Sequence, residues 1–80
     1  MNLVPRAQRL LDYLRSAHVT VEREEDDLFE VGQLDSGGVV ELVLFLEESF
    51  GVEIDPAMIT REHFSSVKTV VALLDRLAPP

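Results

Sequence analysis

The chain has 80 residues, no cysteine and a formal net charge of −8. Lack of cysteine excludes disulfides, thiolate nucleophiles and cysteine metal sites, and the charge disfavours nucleic acid or an anionic lipid surface as partner. With 46% hydrophobic residues, the chain has too many for disorder, and its length implies one domain spanning 1–80.

The start, MNLVPRAQRLL, has no long apolar region and carries arginines, so it does not read as a secretory leader. No apolar run approaches a membrane span. The expectation is a freestanding, monomeric cytoplasmic protein running from Met1 to Pro80, with basic proteins as its natural partners.

Leu3, Leu10, Leu11 and Leu14, with Ala7 and Ala17 beside them, recur at helical spacing and predict helix one over 4–17. Pro5 fits its first turn. From His18 to Asp35 the pattern fails. The acidic run EREEDD and then LFEVGQL read as a long loop, pinned to the core by Val19, Val21, Leu28, Phe29, Val31 and Leu34. Loops this long are commonly functional or packed by their own side chains. Helix two is predicted over 36–50, closed by Gly51 as a left-handed cap. A short helix fits 56–63, with Asp55 capping it and Pro56 at its first position. The last helix is predicted over 66–77, capped by Ser65 or Ser66, with Val67, Val70, Val71, Leu74 and Leu77 inward. No alternating segment is long enough for a sheet. The fold class is all-α: a small bundle of three main helices plus one short one, with the long loop between helices one and two.

Helix two holds the most information. At 100° per residue, Val39, Leu42, Val43, Leu46 and Phe50 form a core stripe. Val40, Glu41, Leu44, Glu47 and Glu48 fall on the neighbouring outer side, with Gly37 leading into it. A face mixing apolar side chains and carboxylates suits docking against a basic-rimmed groove. From periodicity alone, an ordinary amphipathic helix with a few exposed apolar residues is the favoured reading of the two. Phe45 projects away from the stripe, where it either covers a loop or meets a partner.

Ser36 opens this helix inside Asp-Ser-Gly-Gly. One role for it is that of helix cap, its hydroxyl accepting a free N–H of the first turn. The other is that of a modification site, where a phosphate ester would meet unpaired N–H groups and the positive dipole end. Gly37 and Gly38 would leave the approach open, and Asp35 could help a modifying enzyme place a cation and the hydroxyl. Direct catalysis by Ser36 is disfavoured, because no histidine is near in sequence and the G-x-S-x-G elbow is absent. His18 and His63 are isolated and lack metal-ligand spacing. The EREEDD run lacks the glycine of a calcium loop and reads as a solvated acidic segment. No catalytic site and no metal site is expected.

Read together, these segments resemble the acyl carrier protein family over nearly the whole chain. The most specific part is LFEVGQLDSGGVVELVLFLEESFGVEIDP, with Gly32, Asp35, Ser36, Glu41, Leu42, Leu46, Glu47, Glu48, Phe50, Gly51, Val52 and Ile54 in the family register. The resemblance implies that Ser36 receives 4′-phosphopantetheine from coenzyme A and that Asp35 supports the transfer. It implies that the arm's thiol holds cargo as a thioester, consistent with a chain that has no thiol of its own. Glu41, Glu47 and Glu48, with Gly37, Val40 and Leu44, would be the partner-binding face. The implied partners are a phosphopantetheinyl transferase, an adenylate-forming ligase or acyltransferase that loads cargo, and a downstream synthase or transferase. The carrier itself would not be an enzyme. Fatty-acid carriers usually have leucine after the serine, where this chain has Gly37. Gly38 and TREHFSSVKTV look more like D-alanyl carriers and the stand-alone carriers of polyketide and nonribosomal peptide assembly. The expectation is a discrete carrier of a small acyl or aminoacyl unit in such natural-product assembly. The alternatives are a D-alanyl carrier for the cell wall and an unmodified carrier-fold binding subunit.

Overall fold

The computed structural model describes residues 5–77. Within them lie four helices, namely α1 (Arg6–Ser16), α2 (Ser36–Phe50), α3 (Arg61–Phe64) and α4 (Val67–Leu77), and a single 3₁₀ turn at Pro56–Met58. No strand occurs among the described residues. The all-α expectation holds.

Helix α1 starts two residues later than expected, because Pro5 stands at the cap position and not inside the first turn. Leu3, expected on its inner face, lies outside the described residues. Leu10 and Leu14 are buried, Ala7 and Leu11 are half-buried, and Ala17 is exposed beyond the helix end. The helix ends in a Schellman turn. The His18 N–H donates to the Arg15 carbonyl and the Val19 N–H to the Leu14 carbonyl, at 3.1 and 2.8 Å. His18 takes the left-handed conformation (φ 64°) that glycine usually occupies there. Buried Val19 and Leu14 supply the apolar contact that accompanies this turn.

The long loop is irregular yet well tied. Its Val19, Val21, Leu28 and Leu34 are buried, whereas Val31, expected as an anchor, is 52% exposed. Gly32 explains part of this path. A Cβ there would lie 2.7 Å from Val19 Cγ1 and 2.8 Å from the Leu28 carbonyl oxygen, so only glycine allows the loop to close on itself. The Leu28 N–H donates to the Ser65 carbonyl (2.7 Å) and the Lys68 N–H to the Glu24 carbonyl (3.0 Å). The acidic run is more than a solvated face. Asp26 accepts from the Glu22 and Arg23 N–H groups, and Asp27 from those of Phe29 and Glu30, which folds the segment into side-chain-capped turns.

Helix α2 has the expected bounds and the expected stop, with Gly51 at φ 65° and its N–H on the Glu47 carbonyl. The expected 56–63 helix is broken into two pieces. Asp55 does cap the first, accepting from the Ala57 N–H at 2.8 Å. Thr60 then returns to an extended conformation and caps α3 through the His63 N–H. Ser66 opens α4: its hydroxyl accepts from the Thr69 N–H while its own N–H donates to Thr69 Oγ1, a reciprocal cap. Leu73 joins Val67, Val70 and Leu74 in the core, while Val71 and Leu77 are only half-buried. Leu73 is buried because the 56–64 segment covers that flank: Met58 and His63 meet it around a cavity of about 130 Å³.

Candidate functional site

The site is built by the entry into α2. Leu34 is buried, and its N–H donates to the Leu28 carbonyl at 2.8 Å. That anchor sets the register of the next residues. Asp35 becomes the cap: its extended backbone precedes the helix, its carbonyl accepts from the Val39 N–H, and its Oδ1 accepts from the Gly38 N–H at 2.7 Å. Ser36 is therefore the first helical residue and not the cap. Its side chain is exposed and released from the structural duty that the sequence left open to it.

The two glycines differ. At Gly38 a Cβ would fall 2.6 Å from Leu34 Cδ1, so packing of the anchor leucine keeps that position small. At Gly37 a Cβ would meet only Asp35 Oδ1, at an ordinary 3.6 Å. The fold tolerates a side chain at Gly37; its absence leaves the front of Ser36 bare.

Two grooves flank this helix start. One, about 570 Å³, runs past His18, Gln33, Asp35, Gly37 and Glu41. It brings His18 to the Asp35 side of the helix, a proximity invisible in the sequence; Ser36 does not line it. The other, about 460 Å³, is lined by Ser36 together with Phe29, Val39, Val40, Ile59 and Arg61. Ile59 is exposed, and the Arg61 guanidinium sits 4.6 Å from the centre of the Phe29 ring. Sequence reasoning singles out neither residue. The only hint is an apolar Ile59 just beyond a proline turn.

The outer face of α2 is largely as expected. Val40 and Leu44 are 59% and 52% exposed, and Glu41 and Glu48 are exposed beside them. Glu47 departs from this set. It is half-buried, and its carboxylate accepts from the Ile54 N–H at 3.0 Å, pinning the link after the helix. Phe45 is half-buried against other aromatic rings. It stacks on Tyr13 of α1 (centroids 4.1 Å apart, 15° between planes) and sets its edge to Phe50. Arg9 closes this seam, stacked 4.3 Å over Phe50 and donating to the Ser49 carbonyl. Partial burial, and then the Glu41 charge, raise the Tyr13 phenol above its ordinary value.

No group of three or more His, Asp or Glu side chains suited to a metal ion occurs among the described residues. His63 is half-buried, its Nδ1 set 3.0 Å from the Met58 carbonyl oxygen, so it serves the α3 turn. No helix among the described residues is long and apolar enough to cross a membrane.

The family described as phosphopantetheine attachment site matches residues 8–77, which includes the whole of the site. Among curated proteins, the chain is similar to D-alanyl carrier proteins of Streptococcus pyogenes, for example those of serotype M5 (strain Manfredo), serotype M49 (strain NZ131) and serotype M1. Each is 34% identical over 56 residues, covering 70% of this chain and 71% of the relative. No solved structure matches the chain. With a family match along most of its length and an aminoacyl carrier at this level of identity, the chain belongs to the phosphopantetheine-binding carrier proteins, whose prosthetic group is 4′-phosphopantetheine.

Proposed function

We propose that Ser36 is the attachment residue and that the protein is a discrete carrier of a small acyl or aminoacyl unit. The observation that carries this reading is the division of labour at the helix start: Asp35 caps α2, and Ser36 stands exposed at its first position. The residues fit the group. A bare Gly37 leaves the hydroxyl approachable, and an apolar groove with one cationic side chain adjoins it. In the attachment, Ser36 Oγ displaces 3′,5′-adenosine diphosphate from coenzyme A; an O–P bond forms, the pyrophosphate P–O bond breaks, and the serine proton is lost to the transferase. The arm supplies a terminal thiol that bonds cargo as a thioester.

Each neighbouring residue has a role in this reading. Asp35 holds the helix start and supports the transferase reaction. Gly37, Val40, Glu41, Leu44 and Glu48 form the docking face for basic partner enzymes. Glu47, engaged with the Ile54 N–H, contributes charge to that face while holding the link in place. Those partners are a phosphopantetheinyl transferase, a loading ligase or acyltransferase, and a downstream synthase or transferase. The carrier catalyses nothing itself, and works as a single-domain monomer in the cytoplasm. Similarity to D-alanyl carrier proteins favours an aminoacyl cargo. Polyketide or nonribosomal peptide assembly is the second setting, favoured by Gly37 in place of the leucine usual in fatty-acid carriers. An unmodified binding subunit has less support, since Ser36 is not needed as a cap.

The test is the intact mass before and after incubation with coenzyme A, magnesium and a permissive transferase. The wild type should gain one phosphopantetheine and Ser36→Ala none. A wild type that gains nothing, or an alanine variant that still gains mass, would overturn the assignment.

A further inference from the structure

The two grooves beside the helix start differ in charge. The larger is lined by two acidic residues, Asp35 and Glu41, and by His18. The smaller, which contains Ser36, has no carboxylate among its lining residues and one cation, Arg61. That guanidinium lies over Phe29, 4.6 Å from the ring centre. Stacking leaves the N–H edge of an arginine free to donate while its orientation is fixed. Asp27 feels the Arg61 charge, but its carboxylate is engaged by the Phe29 and Glu30 N–H groups. No ion pair to Arg61 occurs among the described residues. A chain of net charge −8 otherwise repels a phosphate.

We infer that Arg61 is a positioning residue for the phosphopantetheine arm: its stacked guanidinium attracts the phosphodiester on Ser36 and turns the arm into the groove beside α3, away from Asp35 and Glu41. This rests on the proposed attachment at Ser36. Charge complementarity selects the side. A phosphodiester is an anion; one groove is lined by two acidic residues and a histidine, the other by an arginine and no acidic residue. Val40 and Ile59 then offer apolar walls to the branched methyl groups that come after the phosphate in the arm.

The experiment uses isotope-labelled full-length protein, loaded by coenzyme A and a transferase, and read by NMR beside intact mass. In the loaded wild type, the arm's geminal methyl protons should show cross-relaxation to the Val40 and Ile59 methyl groups. The Arg61 Nε–H resonance should shift on loading. Arg61→Gln should gain the same mass yet lose most of those contacts, and Arg61→Lys, which keeps charge without the planar stack, should retain a part. Raising salt to 1 M, where screening acts over about 3 Å, should weaken them in the wild type. Loaded wild type without contacts, or Arg61→Gln with contacts undiminished, overturns the inference while leaving attachment intact. If Arg61→Gln does not fold, the salt series decides, and contacts indifferent to salt overturn the inference. No mass gain in the wild type would instead sink the attachment at Ser36.

Discussion

Asp35 and Ser36 are adjacent residues of equal capping talent, yet they should respond very differently to truncation. Asp35→Ala removes a 2.7 Å bond from the Gly38 N–H and a negative charge at the positive end of the helix dipole. Losing such a cap costs about 1 kcal/mol, and up to about 2 in protein hosts. In a domain of this size, about 1 kcal/mol corresponds to a fall in Tm of about 4–8 °C. Ser36→Ala removes an exposed hydroxyl at the first helical position, where alanine has the better helix propensity. Its change should stay within about 0.5 kcal/mol. Thermal unfolding followed by far-ultraviolet circular dichroism measures both, and Asp35→Ser should recover most of the loss by restoring a cap. If Ser36→Ala lowers Tm as far as Asp35→Ala does, the hydroxyl shares the cap and the division of labour is wrong.

Backbone N–H groups of Glu22 and Arg23 hold the Asp26 carboxyl below its ordinary value, and those of Glu30 and Phe29 do the same for Asp27. A lowered folded-state value means stability present above the unfolded value of 3.8 and lost as pH falls through the folded one; carbon NMR titration should find both depressed, and Asp27→Asn, which keeps an acceptor, should flatten the acid limb of a Tm–pH curve. Gly32→Ala should cost about 1–3 kcal/mol, because its Cβ would strike Val19 and the Leu28 carbonyl, whereas Gly37→Ala should raise stability by up to about 1 kcal/mol; denaturant midpoints that rank the two the other way would contradict this packing. Glu48→Lys should slow association with a basic partner enzyme and leave Tm nearly unchanged, while Glu47→Lys should also lower Tm through the lost Ile54 bond; stopped-flow binding paired with melting curves separates them.

The bounds of α2 are legible in the sequence because several signals agree: a polar start, an apolar stripe and a terminal glycine. The break at Ile59–Thr60 is not, because Pro56 and Asp55 announce a helix start without saying how far it runs, and Thr60 is a second capping residue within reach. Phe45 escapes a periodicity argument for a related reason. A helical wheel knows one neighbour direction, whereas α1 and the loop meet α2 on different sides, and a ring as large as Phe45 reaches Tyr13. Glu47 shows the converse: its helix position is on the outer side by periodicity, but a long side chain can fold down onto a free N–H of the succeeding link.

The choice between Asp35 and Ser36 as cap lies beyond any local pattern, since a tie from Leu34 back to Leu28 sets the register. That choice has a consequence for the proposed chemistry. Were the modified serine itself the cap, esterification would place a bulky phosphodiester on the atom that accepts the first-turn N–H, and each loading would disturb the helix start. With Asp35 holding the Gly38 N–H, the proposed attachment at Ser36 would leave the first-turn bond untouched. On the proposed reading, the exposed face of Val40, Glu41, Leu44 and Glu48 would then be the same for a transferase that meets the bare serine and for enzymes that meet a loaded arm. A carrier has to be recognised in both states, and the cap one residue upstream is the simplest local arrangement that allows it.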